Sequence, residues 1–212
     1  MKIAILGSYS TQIFVMELKK LFSKDHTFYE ADYSQIEYEI INSNSGLYKF
    51  SPDYIFIHET SFVFKKNFKS INNDKLYLLK ISNLKNLLNK LIELLPKAKV
   101  LYPTIENDNE MNFGNYFFKI SQSIDAQIHY YNYEIARLAL DFKNLFPIDI
   151  NNLIFHFGMP RDMRLFISAD MHFSLPFTKI LADTTATYIK SFEGASIKCI
   201  ILDLDNTLWG GV

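Results

Sequence analysis

The chain has 212 residues, enough for one large domain or for one domain and the beginning of another. Its hydrophobic content of 49% is ample for a globular core, and a net charge of −1 offers no electrostatic footprint for nucleic acid or an anionic membrane. No tract is long enough to span a bilayer, the start is too short in apolar residues for a secretory signal, and one cysteine excludes an intrachain disulfide, so the default expectation is cytoplasmic. Residues 3–6 read as a first strand. Gly7-Ser8-Tyr9-Ser10-Thr11 is a small-residue turn in which Ser10 or Thr11 could cap a helix. Phe14, Leu18 and Leu21 then recur at helical spacing, so the chain opens as strand, turn and helix. Residues 27–31 suggest a second strand. Ser34-Gln35-Ile36-Glu37 fits a capping box for a short helix, which Asn44-Ser45-Gly46 would end. Pro52-Asp53 introduces a buried strand at 54–57, and residues 61–73 signal only a loop or a short helix.

Two long helices dominate the middle. Tyr77, Ile81, Leu84, Leu88, Leu91 and Leu95 mark the first, and Pro96 its end. A strand at 100–102 leads into a polar loop at 104–115, whose Glu106, Asp108 and Glu110 read as exposed loop acids. Ile124, Ile128, Tyr131, Ile135, Leu138, Phe142 and Leu145 mark the second long helix. Residues 147–150 offer a short final strand, and Ser174-Leu175-Pro176 begins a helix reaching about Lys190. Strands alternating with helices predict a three-layer α/β/α domain with a parallel, flavodoxin-like sheet covered on both faces.

The strongest chemical signal lies at the end. An apolar run from Cys199 to Leu202 reads as a buried parallel strand and is followed by Asp203-Leu204-Asp205-Asn206-Thr207. Side chains two apart on a strand share a face, so both carboxylates fall together beyond its carboxyl end, where α/β sheets gather ligands. One such carboxylate can attack a phosphoryl group while its neighbour moves protons, and oxygen ligands suit Mg2+. Asp203-Leu204-Asp205-Asn206-Thr207 resembles the first motif, Asp-x-Asp-x-Thr, of the haloacid-dehalogenase superfamily of phosphoryl-transfer enzymes. The longer string through Leu208, Trp209, Gly210, Gly211 and Val212 is similar to its form in FkbH-like proteins, which carry a different domain in front.

That resemblance implies Asp203 as nucleophile, Asp205 as acid/base, both as ligands of Mg2+, and Thr207 as a holder of the phosphoryl group. The superfamily's later Ser/Thr, Lys and metal-binding acids have no counterparts in these residues. Activity at this motif is therefore expected of the full-length protein rather than of this chain, as is the Mg2+. The expected division is a front domain over 1–195 and the first strand of a truncated second α/β domain over 196–212.

The front domain resembles the SGNH-hydrolase family, which uses an early Gly-Asp-Ser motif and a late Asp-x-x-His. Here the early motif is Gly7-Ser8-Tyr9, so Tyr9 occupies the family's serine position, with Ser8 and Ser10 beside it. Asp170-Met171-His172 has one intervening residue where the family has two, although His172-Phe173-Ser174 before a helix matches the family's context. The resemblance implies Ser8 or Ser10 with His172 as candidate catalytic groups and Gly7 as a substrate-binding turn. Ser10 as a helix cap and His172 as a loop residue are the competing account. His58 and Glu59 could face the same crevice or form a solvated strand end. Residues 45–53, Tyr131-Asn132 with Ile135-Ala136, and a late loop from Arg161 to Phe166 are similar to the FkbH-like front region.

Members of that family have been associated with supplying a glyceryl unit from 1,3-bisphosphoglycerate to an acyl-carrier protein. The resemblance thus implies a domain that binds substrate or acceptor within a Mg2+-dependent phosphatase or acyl-phosphate-processing transferase. Its expected partners are a small phosphorylated or acyl-phosphate substrate and an acyl-carrier protein, with neither nucleic acid nor membrane. The alternatives are an esterase or acyltransferase acting in its own right, and a noncatalytic carrier-protein docking module.

Overall fold

The computed structural model describes residues 1–68, 75–107, 113–158 and 160–194. The expected boundary near 195, the terminal strand with Cys199, Asp203, Asp205 and Thr207, and the loop acids Asp108 and Glu110 all lie outside the described residues. Five strands, β1 (Lys2–Gly7), β2 (Thr27–Glu30), β3 (Tyr54–His58), β4 (Lys99–Pro103) and β5 (Leu145–Ile148), form one sheet in the order β2-β1-β3-β4-β5. Every pairing is parallel, with Ile3 beside Phe28 and Tyr54, Ile55 beside Val100, and Leu101 beside Phe146. This is the expected α/β class with a flavodoxin-like strand order.

Alternation along the strands divides the core in two. Ala4, Leu6, Ile55, Ile57, Val100 and Tyr102 point to one face, while Ile3, Ile5, Tyr54, Phe56 and Leu101 point to the other. The first face is covered by α2 (Ile36–Ile41), α3 (Gly46–Phe50), α4 (Ser61–Phe68), α5 (Leu76–Leu94) and α6 (Ile124–Asp141). The second is covered by α1 (Gln12–Lys20), α7 (Ile150–Phe157) and α9 (Leu175–Phe192). A strand buried on both faces needs apolar residues at every position, which is why 54–57 and 100–102 read as continuous runs. Each large side chain so buried contributes about 1.5–3 kcal/mol relative to exposure.

Several local expectations are corrected. No capping box forms at Ser34, whose φ is 58° and whose N–H donates to Gly7 O; Gln35 is the residue before α2. Gly46 opens α3 instead of closing α2. Buried Glu39 accepts the Leu47 N–H at 2.9 Å, while the Ser45 hydroxyl donates to the Glu39 carbonyl at 2.7 Å. Leu145 begins β5 rather than ending α6. The last strand is over by Ile148 because Asp149 accepts the Asn152 N–H and starts α7. The stretch expected as a late loop contains α8 (Met163–Ala169), capped by Asp162 on the Arg164 N–H. By contrast α9 starts where expected, with Ser174 as its cap and Pro176 in its first turn.

The strand order places a reversal of chain direction between β1 and β3. The chain leaves β1 for β2 on one side and returns for β3 on the other, opening a crevice beyond their carboxyl ends.

Candidate functional site

Five segments converge above that reversal. The turn after β1 brings Ser8, Tyr9 and Ser10; the end of β3 brings His58; α4 begins with Ser61; the loop after β4 brings Glu106; and the segment between α7 and α9 brings Arg161 and His172. Gly7 is required at the turn by close approach, since a Cβ there would collide with the Thr11 side chain. Ser8 N–H donates to the His58 carbonyl at 3.1 Å, and Ser8 Oγ accepts the Thr60 N–H at 3.2 Å. These bonds stitch the two crevice-forming loops together.

Glu106 is the hub. It is 1% exposed, and a single oxygen, Oε1, meets four donors. Ser61 donates its N–H at 3.0 Å and its hydroxyl at 2.6 Å, Arg161 donates Nη2 at 2.9 Å, and His172 Nε2 makes a very short contact. Arg161 Nη2 also donates to Ser61 Oγ at 2.7 Å. Arg161 Nη2 and His172 Nε2 lie 3.4 Å apart. Both donate to Glu106 there, so the carboxylate oxygen they share holds them side by side. The loop is pinned from behind: Asn132 accepts the Ile105 N–H at 2.9 Å and donates to the Ile105 carbonyl at 2.7 Å, and Asn151 donates to that carbonyl at 3.0 Å. A carboxylate beside the first N–H of α4 also gains from the helix's positive end.

Tyr9 and His58 form the second half of the cluster. The Tyr9 hydroxyl lies 3.1 Å from His58 Nδ1, the two rings meet edge to face, and His58 stacks on Phe173 with centroids 5.5 Å apart. The Tyr9 ring also sits 5.8 Å from that of His172. Burial, assisted by the Glu106 charge, raises the Tyr9 hydroxyl far above its ordinary pKa, so it keeps its proton. Burial pulls His58 down to about 3, outweighing the opposing influence of Glu106. Burial would by itself raise the Glu106 carboxyl. The charge and hydrogen bond of His172 and the Ser61 hydroxyl outweigh it and hold the carboxyl well below the usual range.

The sequence-predicted residues distribute as follows. Gly7, Ser8, Ser10 and His172 do come to one end of the sheet. Among the described residues, however, no hydrogen bond joins Ser8 or Ser10 to His172; Ser8 Oγ faces Thr60, and the Ser10 N–H donates to the Asp170 carbonyl at 3.2 Å. Glu106, expected as an exposed loop acid, is instead buried, because Ile105 beside it is drawn wholly into the core and carries it inward. His58 is likewise fully buried rather than a solvated strand end, whereas Glu59 pairs with Lys80 at 3.3 Å. Ser61 and Arg161 went unnoticed as site residues. The available signal for Glu106 is an acid next to apolar Ile105, separated from an apolar strand by Thr104 and Ile105; for Arg161 it is only its place in the stretch similar to the FkbH-like late loop. Asp203, Asp205 and Thr207 lie outside the described residues, and among those described no group of three or more His, Cys, Asp or Glu is placed to hold a metal ion.

The family model of the FkbH N-terminal domain matches residues 2–190. The chain belongs to that family. This FkbH N-terminal domain is similar, at 26% identity and a TM-score of 0.89, to the N-terminal part of a Bacteroides fragilis protein that contains a phosphatase domain and was crystallised with Mg. The match covers 100% of the present chain and 57% of the Bacteroides one, so the chain spans less than two thirds of that neighbour's length. An acetylxylan esterase from Geobacillus stearothermophilus has a TM-score of 0.59 at 11% identity, over 89% of this chain and 93% of the esterase. The catalytic domain of a Streptococcus pneumoniae peptidoglycan O-acetyltransferase has 0.51 at 15% identity, over 91% and 94%. These likenesses establish an SGNH-like fold for the FkbH N-terminal domain. No curated protein matches the sequence. Among the described residues no helix is long and apolar enough to cross a membrane.

Proposed function

We propose that this FkbH N-terminal domain binds substrate or acceptor for a phosphoryl- or acyl-phosphate-processing unit that begins at about residue 196 and carries Asp203 and Asp205, and is not itself a hydrolase. One observation carries the reading: the residue at the SGNH serine position is Tyr9, its hydroxyl is engaged by His58, and the imidazole of His172 is engaged by Glu106. An imidazole held on a carboxylate by its Nε2 proton is not oriented to take a proton from Ser8 or Ser10. A phenol kept protonated by burial is a poor nucleophile. What remains is a buried, hydrogen-bonded polar cluster at the place where α/β sheets bind ligands.

The partners of this reading are a small phosphorylated or acyl-phosphate substrate and an acyl-carrier protein, with Mg2+ serving the later unit. The Bacteroides neighbour with a phosphatase domain and Mg supports that arrangement. The chain is expected to turn over aryl esters no faster than buffer, and Ser8→Ala, Ser10→Ala and His172→Ala to change nothing. Turnover that these substitutions abolish would establish the esterase reading instead. In the full-length protein, Asp203→Asn is expected to abolish phosphatase activity, and retained activity would remove the phosphoryl half of the proposal.

A further inference from the structure

Among the described residues three buried side-chain polar atoms have no hydrogen-bonding partner: Asn107 Oδ1, on the residue after Glu106, and two within the carboxyl-end cluster itself, His58 Nε2 and Glu106 Oε2. The latter two residues are 0% and 1% exposed. An unsatisfied buried polar group costs about 1–3 kcal/mol, and more when it is charged, so two in one cluster call for a shared explanation.

Hydrogen-bond accounting gives the two atoms opposite character. If His58 Nδ1 carried the proton and donated to Tyr9, the phenol proton and His58 Nε2 would both go without partners. With Tyr9 donating to Nδ1, only Nε2 is left over, and in a neutral ring it must then bear the hydrogen. Burial keeps the ring neutral. His58 Nε2 is therefore a spare donor. Glu106 is ionised, all four of its donors fall on Oε1, and Oε2 is a spare acceptor. The two residues belong to one contiguous cluster: His58 and His172 both pack against the Tyr9 and Phe173 rings, and His172 Nε2 meets Glu106.

We propose that His58 and Glu106 form a buried receptor for one neutral hydroxyl group, whose oxygen accepts from His58 Nε2 and whose proton is donated to Glu106 Oε2. The alternatives fail on the same accounting. An ammonium has no lone pair for Nε2–H. A carboxylate brings no proton for Oε2, and both it and any phosphate bring a negative charge against the buried Glu106 carboxylate. The occupant is a water molecule or the hydroxyl of a small alcohol or polyol. Identifying it with a substrate hydroxyl rests on the binding-domain reading; the receptor itself does not. The receptor holds the group without activating it, since a carboxyl kept below its usual range and an imidazole pulled to about 3 both resist taking a proton.

The test is a crystal structure of the chain grown without alcohols, then soaked in ethylene glycol. Long-range proton–nitrogen NMR of the imidazoles runs beside it. One oxygen within about 2.6–3.2 Å of both His58 Nε2 and Glu106 Oε2 is expected. Its replacement by a diol oxygen supports a ligand hydroxyl, and a water that persists supports the receptor with water as occupant. In the spectra, His58 should appear neutral and protonated on Nε2. No bridging oxygen, a direct bond between the two side chains, or a proton on Nδ1 would overturn the proposal. Ester turnover by the chain would sink the binding-domain reading and leave this result untouched.

Discussion

The centre of the sheet and the heart of the polar cluster above its carboxyl ends are both buried, yet different physics holds each. Phe56, Ile5 and Leu101 are 0% exposed, as is His58, with Glu106 at 1%. In the first region stability follows apolar area and packing, so a hydrophobic swap of equal volume is tolerated. In the second it follows pairing: every donor needs an acceptor, and removing one member strands the others in a medium that cannot solvate them. The comparison shows what holds the cluster together: its polar groups are paired with one another. Its charges are spent on one another.

The largest expected effects set the two regions side by side. Glu106→Ala leaves Arg161 and His172 without their shared carboxylate and should lower unfolding free energy by about 3–5 kcal/mol, read from urea denaturation. Phe56→Ala, which opens a cavity against the Phe14 ring stacked 4.5 Å away, should cost a similar amount of about 3–5 kcal/mol. The regions separate on a second substitution. Phe56→Leu should recover most of its loss, whereas Glu106→Leu should not, because Ser61, Arg161 and His172 would still lack the acceptor they share. Equal recovery at both positions would erase the distinction.

Acid should act on the polar region. With its pKa at about 3 in the fold and about 6.5 in the unfolded chain, His58 takes up a proton on unfolding at intermediate pH. Its contribution is complete above about 6.5 and is lost as pH falls toward 3, at roughly 1 kcal/mol per unit. Glu106, also held below its unfolded value, adds a loss in the same direction below the ordinary carboxylate range. Urea midpoints measured from pH 7 to pH 4 should fall more steeply for the natural chain than for His58→Gln; parallel profiles would show that His58 is not held neutral.

Smaller effects sharpen the picture within the cluster. Tyr9→Phe removes the donor to His58 Nδ1 and should cost about 1–3 kcal/mol with the fold retained. Ser10→Ala should change stability by no more than about 0.5 kcal/mol, since the structure involves Ser10 through its backbone N–H. A loss at Ser10 as large as at Tyr9 would show a side-chain role that the hydrogen bonding does not reveal.

Much of the scaffold was legible because its signals are local. The runs at 54–57 and 100–102 declare buried parallel strands, the stripes from Tyr77 to Leu95 and from Ile124 to Leu138 declare helices, and Ser174 before Pro176 declares a cap. The capping box at Ser34 misled because Ser34, bonded through its N–H to distant Gly7, has a positive φ that a helix N-cap does not adopt. The site was half legible. Gly7, Ser8, Ser10 and His172 were found through their motif, but Glu106 looked like one more acid in a polar loop, and Arg161 like one more loop cation.

The sequence by itself determined the alternation of strands and helices, the family, and the acidic motif at residues 203–207, because hydrophobic period and motif spacing are properties of neighbouring residues. Only the tertiary structure decided which side chains meet at the reversal between β1 and β3, that Tyr9 answers to His58, and that Glu106 holds Arg161 and His172. Those partners lie between 49 and 66 positions apart in the chain. Burial and pairing across such distances depend on how the sheet brings its carboxyl ends together, which no local pattern records.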